Sequence, residues 1–202
     1  MRERRKQERA DRVREEILDA ATTVFERGGI EAATLAEIAE EAGFGVSSLY
    51  AYFESKTALI NGAVDSFAAE ALAIFELPRL EAESFRAYFE RLVRQQFLLA
   101  ERRKGLFEVL RVERNDAVQR PGIAHEDGVR WMQLLGALLQ TGIDEGAFRD
   151  ADVLMMSFLV EGSMYGIACA RFGGCSPIEL DAAVDAATEF IFSGFGAATE
   201  SD

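Results

Sequence analysis

The chain has 202 residues, 49% hydrophobic and 28% charged, with three prolines and a formal net charge of −13. That composition suits one large or two small globular domains with a real core, and it excludes a disordered or proline-rich linker protein. No uninterrupted run reaches about 18 apolar residues, and the N-terminus MRERRKQERADRVREE is charged where a secretory signal needs an apolar segment, so a cytoplasmic protein without membrane attachment is expected.

Charge is unevenly spread. Residues 1–14 carry seven Lys or Arg, among them Arg4, Arg5 and Lys6, against three acids, while the remainder is strongly acidic. A basic arm on an acidic body reads as an electrostatic address for a polyanion, or as the solvated end of a helix. Helical periodicity runs through the chain and no segment alternates with the period of two that a half-buried strand requires, so the fold class is all-α. The first helix is predicted over 11–27, with Val13, Ile17, Ala21, Val24 and Phe25 on one face and Gly28-Gly29 as its stop. A second starts at Thr34, where Thr34-Leu35-Ala36-Glu37 has the form of a capping box, and ends at Gly43. A third, over 46–53, follows almost at once. Ser55 caps a longer helix to about Leu77, and further helices are predicted over 82–103, 105–115, 123–143, 151–172 and 177–195, separated by Gly and Pro.

Two short amphipathic helices on either side of a tight turn, TLAEIAEEAGFGVSSLYAYF over 34–53, form a helix-turn-helix. Gly43 supplies the positive φ of the turn, and Phe44, Leu49 and Phe53 back the second helix, leaving Val46, Ser47, Ser48, Ala51 and Tyr52 outward. Small side chains at the start of such a helix permit close approach to a DNA major groove; the same spacing also fits an αα-hairpin packed in a bundle. The second helix has no Arg, Lys, Asn or Gln, so sequence reading would rest on thymine-methyl contacts from Val46 and Ala51, on the Ser47 and Ser48 hydroxyls and on DNA shape. Residues 15–60 hold only Arg27 and Lys56 against nine acids, which puts the weight of phosphate binding on the arm.

The stretch from Arg14 to Leu59 resembles the DNA-binding domain of the TetR family of transcriptional regulators. Its parts occur in order: Ile17-Leu18 with Ala20-Ala21, Phe25 before a Gly, Thr34 with Ile38-Ala39, Ala42-Gly43, Leu49-Tyr50, Tyr52-Phe53, Ser55-Lys56 and Leu59. The resemblance implies a helix-turn-helix DNA-binding domain over 1–54 and a helical effector-binding and dimerisation domain over 55–202, whose last two helices form a four-helix interface. It implies phosphate contacts from Thr34 and Lys56, and base or backbone contacts from Ser47, Ser48, Tyr50 and Tyr52. Gly45 stands where the family usually has Ser or Thr as an N-cap, a small loss that leaves the fold intact.

In the body, Gly162, Ser163, Gly166 and Ala170 form a line of small residues, repeated by Ala182, Ala183, Ala186 and Ala187 before Phe190. These lines suit either core packing within a subunit or, with the resemblance, a symmetric homodimer through Gly162, Gly166, Ala183, Ala187 and Phe190. Phe89, Phe107, Trp131, Met155 and Tyr165 are candidates to line an apolar or amphipathic effector's cavity, or are plain core. Glu161 interrupts an apolar run and is expected to pair with Arg111 or Arg114, or to face a cationic ligand. Cys169 and Cys175, with His125 as the single histidine, give neither a disulfide framework nor a zinc site, so no metal and no cofactor are expected. Without a Ser/His/Asp arrangement or phosphate loop, the expectation is not an enzyme but a ligand-responsive repressor of a double-stranded operator; the alternative is a helical small-molecule-binding protein whose helix-turn-helix no longer reads DNA.

Overall fold

The computed structural model describes residues 1–105, 107, 125–172 and 178–197. Its helices are α1 (Arg2–Gly28), α2 (Leu35–Glu41), α3 (Val46–Tyr50), α4 (Lys56–Ile74), α5 (Phe85–Arg102), α6 (His125–Asp144), α7 (Val153–Phe172) and α8 (Leu180–Phe195). Among the described residues the only extended pairing is an isolated bridge between Phe148 and Gly196, so the all-α expectation holds. Most of the helix expected over 105–115 lies outside the described residues, as do Arg111, Arg114 and Cys175.

Helix α1 starts at Arg2 instead of near Asp11. Arg, Glu, Lys and Gln are good helix formers, and side chains one turn apart tie this stretch together: Arg4 to Glu8 at 3.0 Å, Gln7 to Asp11 at 2.8 Å and Arg12 to Glu16 at 3.2 Å. The expected arm is therefore a helical extension. At the other end Gly29 adopts φ 79°, which stops the helix as anticipated.

The chain forms two units. The first comprises residues 1–67 and the described part of 103–124. Its core joins Ile17, Ala21, Val24 and Phe25 of α1 with Ile38 and Ala39 of α2, Leu49 of α3, Phe53, and Leu59, Ala63 and Val64 of α4. The Arg14 guanidinium lies 4.3 Å from the Phe53 ring centroid and donates to the Tyr52 carbonyl. Arg103 pairs with Asp19, and the Gly105 N–H donates to Glu26, which fastens 103–105 to α1.

The second unit comprises residues 68–102, 125–172 and 178–197 as described. Four phenylalanines centre it: Phe85 and Phe89 of α5, Phe148 and Phe192. Phe85 meets Phe148 edge-on at 5.4 Å, Phe89 meets Phe192 edge-on at 5.7 Å, and Phe148 lies 4.8 Å from Phe192. A Cβ at Gly142 would strike the Phe148 and Phe85 rings, so α6 comes this close only because it carries glycine there. Helix α8 packs along α5, and α7 packs on α6 and α8. Helices α4 and α7 are long and apolar enough, by length and composition, to cross a membrane, although neither is an uninterrupted apolar run. Glu161 and the small residues of α7 break the run without making the helix polar.

Glu83 shows how the loop before α5 is held. Its carboxylate receives Arg91 through two hydrogen bonds of 2.9 Å and the Leu80 N–H, and these, Arg91 first, lower its pKa from 4.5 to about 2. A carboxylate whose pKa falls on folding contributes stability above its unfolded value and loses it as pH drops through the folded one. Glu83→Gln is therefore expected to lower thermal stability at neutral pH and to flatten the acid limb between about pH 4.5 and 2, as read by circular dichroism against pH.

Candidate nucleic-acid interface

Helix α2 is built by its cap. The Thr34 hydroxyl accepts from the Glu37 N–H at 3.2 Å, and the Glu37 carboxylate accepts from the Thr34 N–H at 2.9 Å, completing the expected capping box. The Thr34 hydroxyl also donates to Glu37 at 2.8 Å, and the two Thr34 donors hold that carboxyl below the usual range. A hydroxyl has one proton, and here it is given to Glu37. Thr34 can donate to a phosphate only by giving up that bond.

After α2, Gly43 takes φ 72° and turns the chain into α3. Helix α3 starts behind Gly45, which provides no side-chain cap, and ends at Tyr50 rather than Phe53. Leu49 faces inward with no exposed surface, while Val46, Ser47, Ser48 and Ala51 are exposed. Tyr50 is 51% exposed, so its ring is a surface group and not packing. Tyr52 differs: it is half-buried against the core cluster. The result is a short helix backed by Leu49 and Phe53, with small hydroxyls and one phenol on its open side. The free N–H groups at its start and the phenolic O–H can donate to acceptors in a groove or on a backbone.

Few cations near this surface are unengaged. Arg27 pairs with Glu41 at 3.2 Å, and Lys56 donates to the Glu31 carbonyl at 3.0 Å, which leaves its other two N–H donors available. Arg4, Arg5 and Lys6 are exposed on α1, Arg4 being paired with Glu8.

The structure redistributes the candidates in the second unit. Phe89 is buried among Phe85, Phe148 and Phe192 and is core. Met155 is 58% exposed and cannot line a closed cavity within the protomer. Phe107 is buried and belongs to the first unit. Trp131, Glu161 and Tyr165 are half-buried in the second. The Trp131 ring meets Phe75 edge-on at 4.9 Å, and its buried indole Nε1 has no hydrogen-bond partner among the described residues. No spacing in the sequence signals that orphaned donor.

Ala183 and Ala187, expected between subunits, are fully buried inside the protomer. Their face of α8 packs inward, and their small size allows close approach to its neighbours, α5 foremost. The outward face carries Ala182, Ala186 and Phe190 instead, beside exposed Leu154, Met155, Phe158, Leu159, Gly162 and Gly166 on α7.

Residues 17–63 match the family described as "Bacterial regulatory proteins, tetR family". Over 170 residues the chain is 26% identical to the HTH-type transcriptional repressor KstR2 of Rhodococcus jostii (strain RHA1), a match covering 82% of this chain and 83% of that one. Among solved structures, it is similar to the fatty acid degradation regulator FadR from Bacillus halodurans, with TM-score 0.77 and 20% identity, covering 89% of this chain and 94% of that one. FadR from Bacillus subtilis, solved in complex with stearoyl-CoA, gives TM-score 0.74 and 19% identity over 89% of this chain and 98% of that one.

Proposed function

We propose, from the match of residues 17–63 to the tetR family of bacterial regulatory proteins, that the chain works as a homodimeric repressor that occupies a palindromic operator and leaves it when a small effector binds. The observation that carries this reading is α3, a helix anchored by buried Leu49 whose open side presents Val46, Ser47, Ser48 and Tyr50. Phosphate contacts come from the N-terminal part of α1 and from Lys56, so affinity falls with salt. Thr34 serves first as the cap of α2. The protein acts on DNA in the cytoplasm.

A two-fold dimer presents its recognition helices to successive major grooves about 34 Å apart. Helix α4 begins in the first unit and ends in the second, which makes it the lever by which an effector shifts that spacing. Linkage then requires effector and operator to weaken each other by the same factor, typically 1 to 3 kcal/mol. The FadR complex with stearoyl-CoA supports an amphipathic effector with a long apolar tail, and stearoyl-CoA is the first compound to titrate.

The test is selection of bound fragments from genomic DNA by the full chain, followed by titration of stearoyl-CoA into the complex. An enriched palindrome is expected, and its absence in a protein that is folded and dimeric would sink the operator reading. Ser48→Ala is expected to cost roughly tenfold on the selected operator and under about twofold on random duplex, the mark of a base contact. Equal losses on both would move Ser48 to the backbone.

A further inference from the structure

Arg14 stands on an unexpected side of its helix. At 100° per residue it falls between Ile17 and Leu18 in angle and in line with Ala21, so a guanidinium occupies the face of α1 whose next turns are core. Arg12 instead turns outward, to an exposed bridge with Glu16. The Arg14 guanidinium reaches the end of the recognition segment: it lies 4.3 Å from the centroid of the Phe53 ring, and its Nη1 donates to the Tyr52 carbonyl at 3.3 Å. Both of those residues are tied to α3, because the Tyr52 and Phe53 N–H groups each donate to the Leu49 carbonyl at 3.0 Å. Leu49 and Phe53 are at most 1% exposed, so α3 is held to the core by this pair, and Arg14 closes its outer end. Helix α4 makes the remaining wall. A Cβ at Gly62 would come within 2.9 Å of Phe53 Cε1 and 3.0 Å of Arg14 Nη2, so the slot that holds ring and guanidinium exists only because that position carries no side chain.

We infer that Arg14 is a positioning residue for operator recognition: it clamps the C-terminal end of α3 against α1 and α4, and so sets the angle at which Ser47, Ser48 and Tyr50 enter the groove. The inference rests on the DNA-binding reading above and goes beyond it, because Arg14 acts through α3 and not by touching DNA. Its donors are turned to a ring and a carbonyl, which removes it from the cations that meet phosphate. Helix α3 has five residues, too few to hold an orientation by its own hydrogen bonds, and Gly45 gives it no side-chain cap. Its pitch therefore depends on what grips the two residues after it. Groups that read a partner must be held within about 0.5 Å and 10–20° of their productive geometry, which a loosened end of so short a helix does not provide.

The experiment measures binding of the full chain to the selected operator and to a mixed-sequence duplex across a salt series, with thermal unfolding of each variant alongside. Arg14→Met keeps an unbranched apolar stem and loses both contacts. It is expected to weaken operator binding roughly five- to tenfold and mixed-sequence binding under about twofold, with the slope of log K against log salt unchanged. A lost phosphate contact would instead lower that slope by about 0.9 and weaken both duplexes alike. Arg14→Lys keeps the charge but not the planar fork that serves ring and carbonyl together, so it should fail beside Arg14→Met. Gly62→Ala fills the slot from the α4 side while raising helix propensity, so operator binding should fall as helix content and mixed-sequence binding hold. A lower slope, equal losses on the two duplexes, or full recovery with Lys makes Arg14 a phosphate charge and overturns the clamp. So does a variant that melts at lower temperature yet binds the operator like the wild type, the mark of a purely structural role. If Arg14→Met does not fold, the other two variants decide, and wild-type operator affinity in both overturns the clamp. A wild type that selects no operator and binds neither duplex removes the DNA-binding reading, and the clamp with it.

Discussion

Gly166→Arg is expected to leave the protomer folded and abolish the dimer. Gly166 is exposed on α7, and a Cβ built there meets nothing within 4 Å, so the new side chain has room within its own subunit. The same holds at Gly162, one turn earlier. Around them lie Leu154, Phe158 and Leu159, each about half exposed or more, with Phe190 of α8 59% exposed. A contiguous apolar face of this kind, on two helices that both pack inward with their other sides, calls for a partner. In a two-fold dimer of the proposed form, α7 and α8 meet their symmetry mates, and the glycines mark where backbones approach. An Arg there places a guanidinium in each half of a desolvated seam, opposite its own copy, where neither charge has a counter-ion. Light scattering should report the monomer mass with an unchanged helical signal. Operator affinity should fall roughly 10²- to 10⁴-fold, because each half-site would bind alone. A dimer that persists with wild-type mass would move the interface elsewhere on the molecule.

The sequence already carried the parts of this molecule that are settled within a few residues of one another. Thr34 and Glu37 close their box, Gly43 takes the left-handed turn, and Leu49 and Phe53 back α3, because caps, turns and amphipathic spacing act within one or two helical turns. The helical form of residues 2–12 stood as only one of two readings for the opposite reason: a charged segment has no apolar period, and its helix rests on propensity and on pairs such as Arg4–Glu8. Distance along the chain hid more. Nothing near Phe148 or Phe192 announces that they close on Phe85 and Phe89, so the four-ring centre of the second unit emerges only from packing. The alanines of α8 mark a subtler limit. Small residues say that something approaches closely, but not whether it belongs to the same chain; the helical period then sends Ala183 and Ala187 inward and Ala182 and Ala186 outward.

Filling a core and lining the proposed effector site are different roles, and Phe89 and Trp131 should answer mutation in opposite ways. Phe89→Ala removes a ring that is 1% exposed and touches Phe85, Phe148 and Phe192. Its neighbours are themselves interlocked, and α6 already presses on two of them at Gly142, so little collapse can refill the space. A loss of about 3 to 5 kcal/mol in unfolding free energy is expected, read from urea denaturation. Trp131→Phe keeps an aromatic ring against Phe75 and deletes a buried N–H that has no partner among the described residues. An unmatched buried donor is a cost to the folded state, so its removal should leave the ligand-free protein as stable as before, or more so. If the proposed effector supplies the missing acceptor, the variant should bind it roughly five- to tenfold more weakly, the worth of one hydrogen bond of about 1 to 1.4 kcal/mol. Thermal shift with and without stearoyl-CoA reads both effects at once. A Trp131→Phe protein that loses stability without ligand and keeps its full shift with it would make the indole ordinary packing, and would leave Glu161 and Tyr165 as the half-buried polar groups to test next.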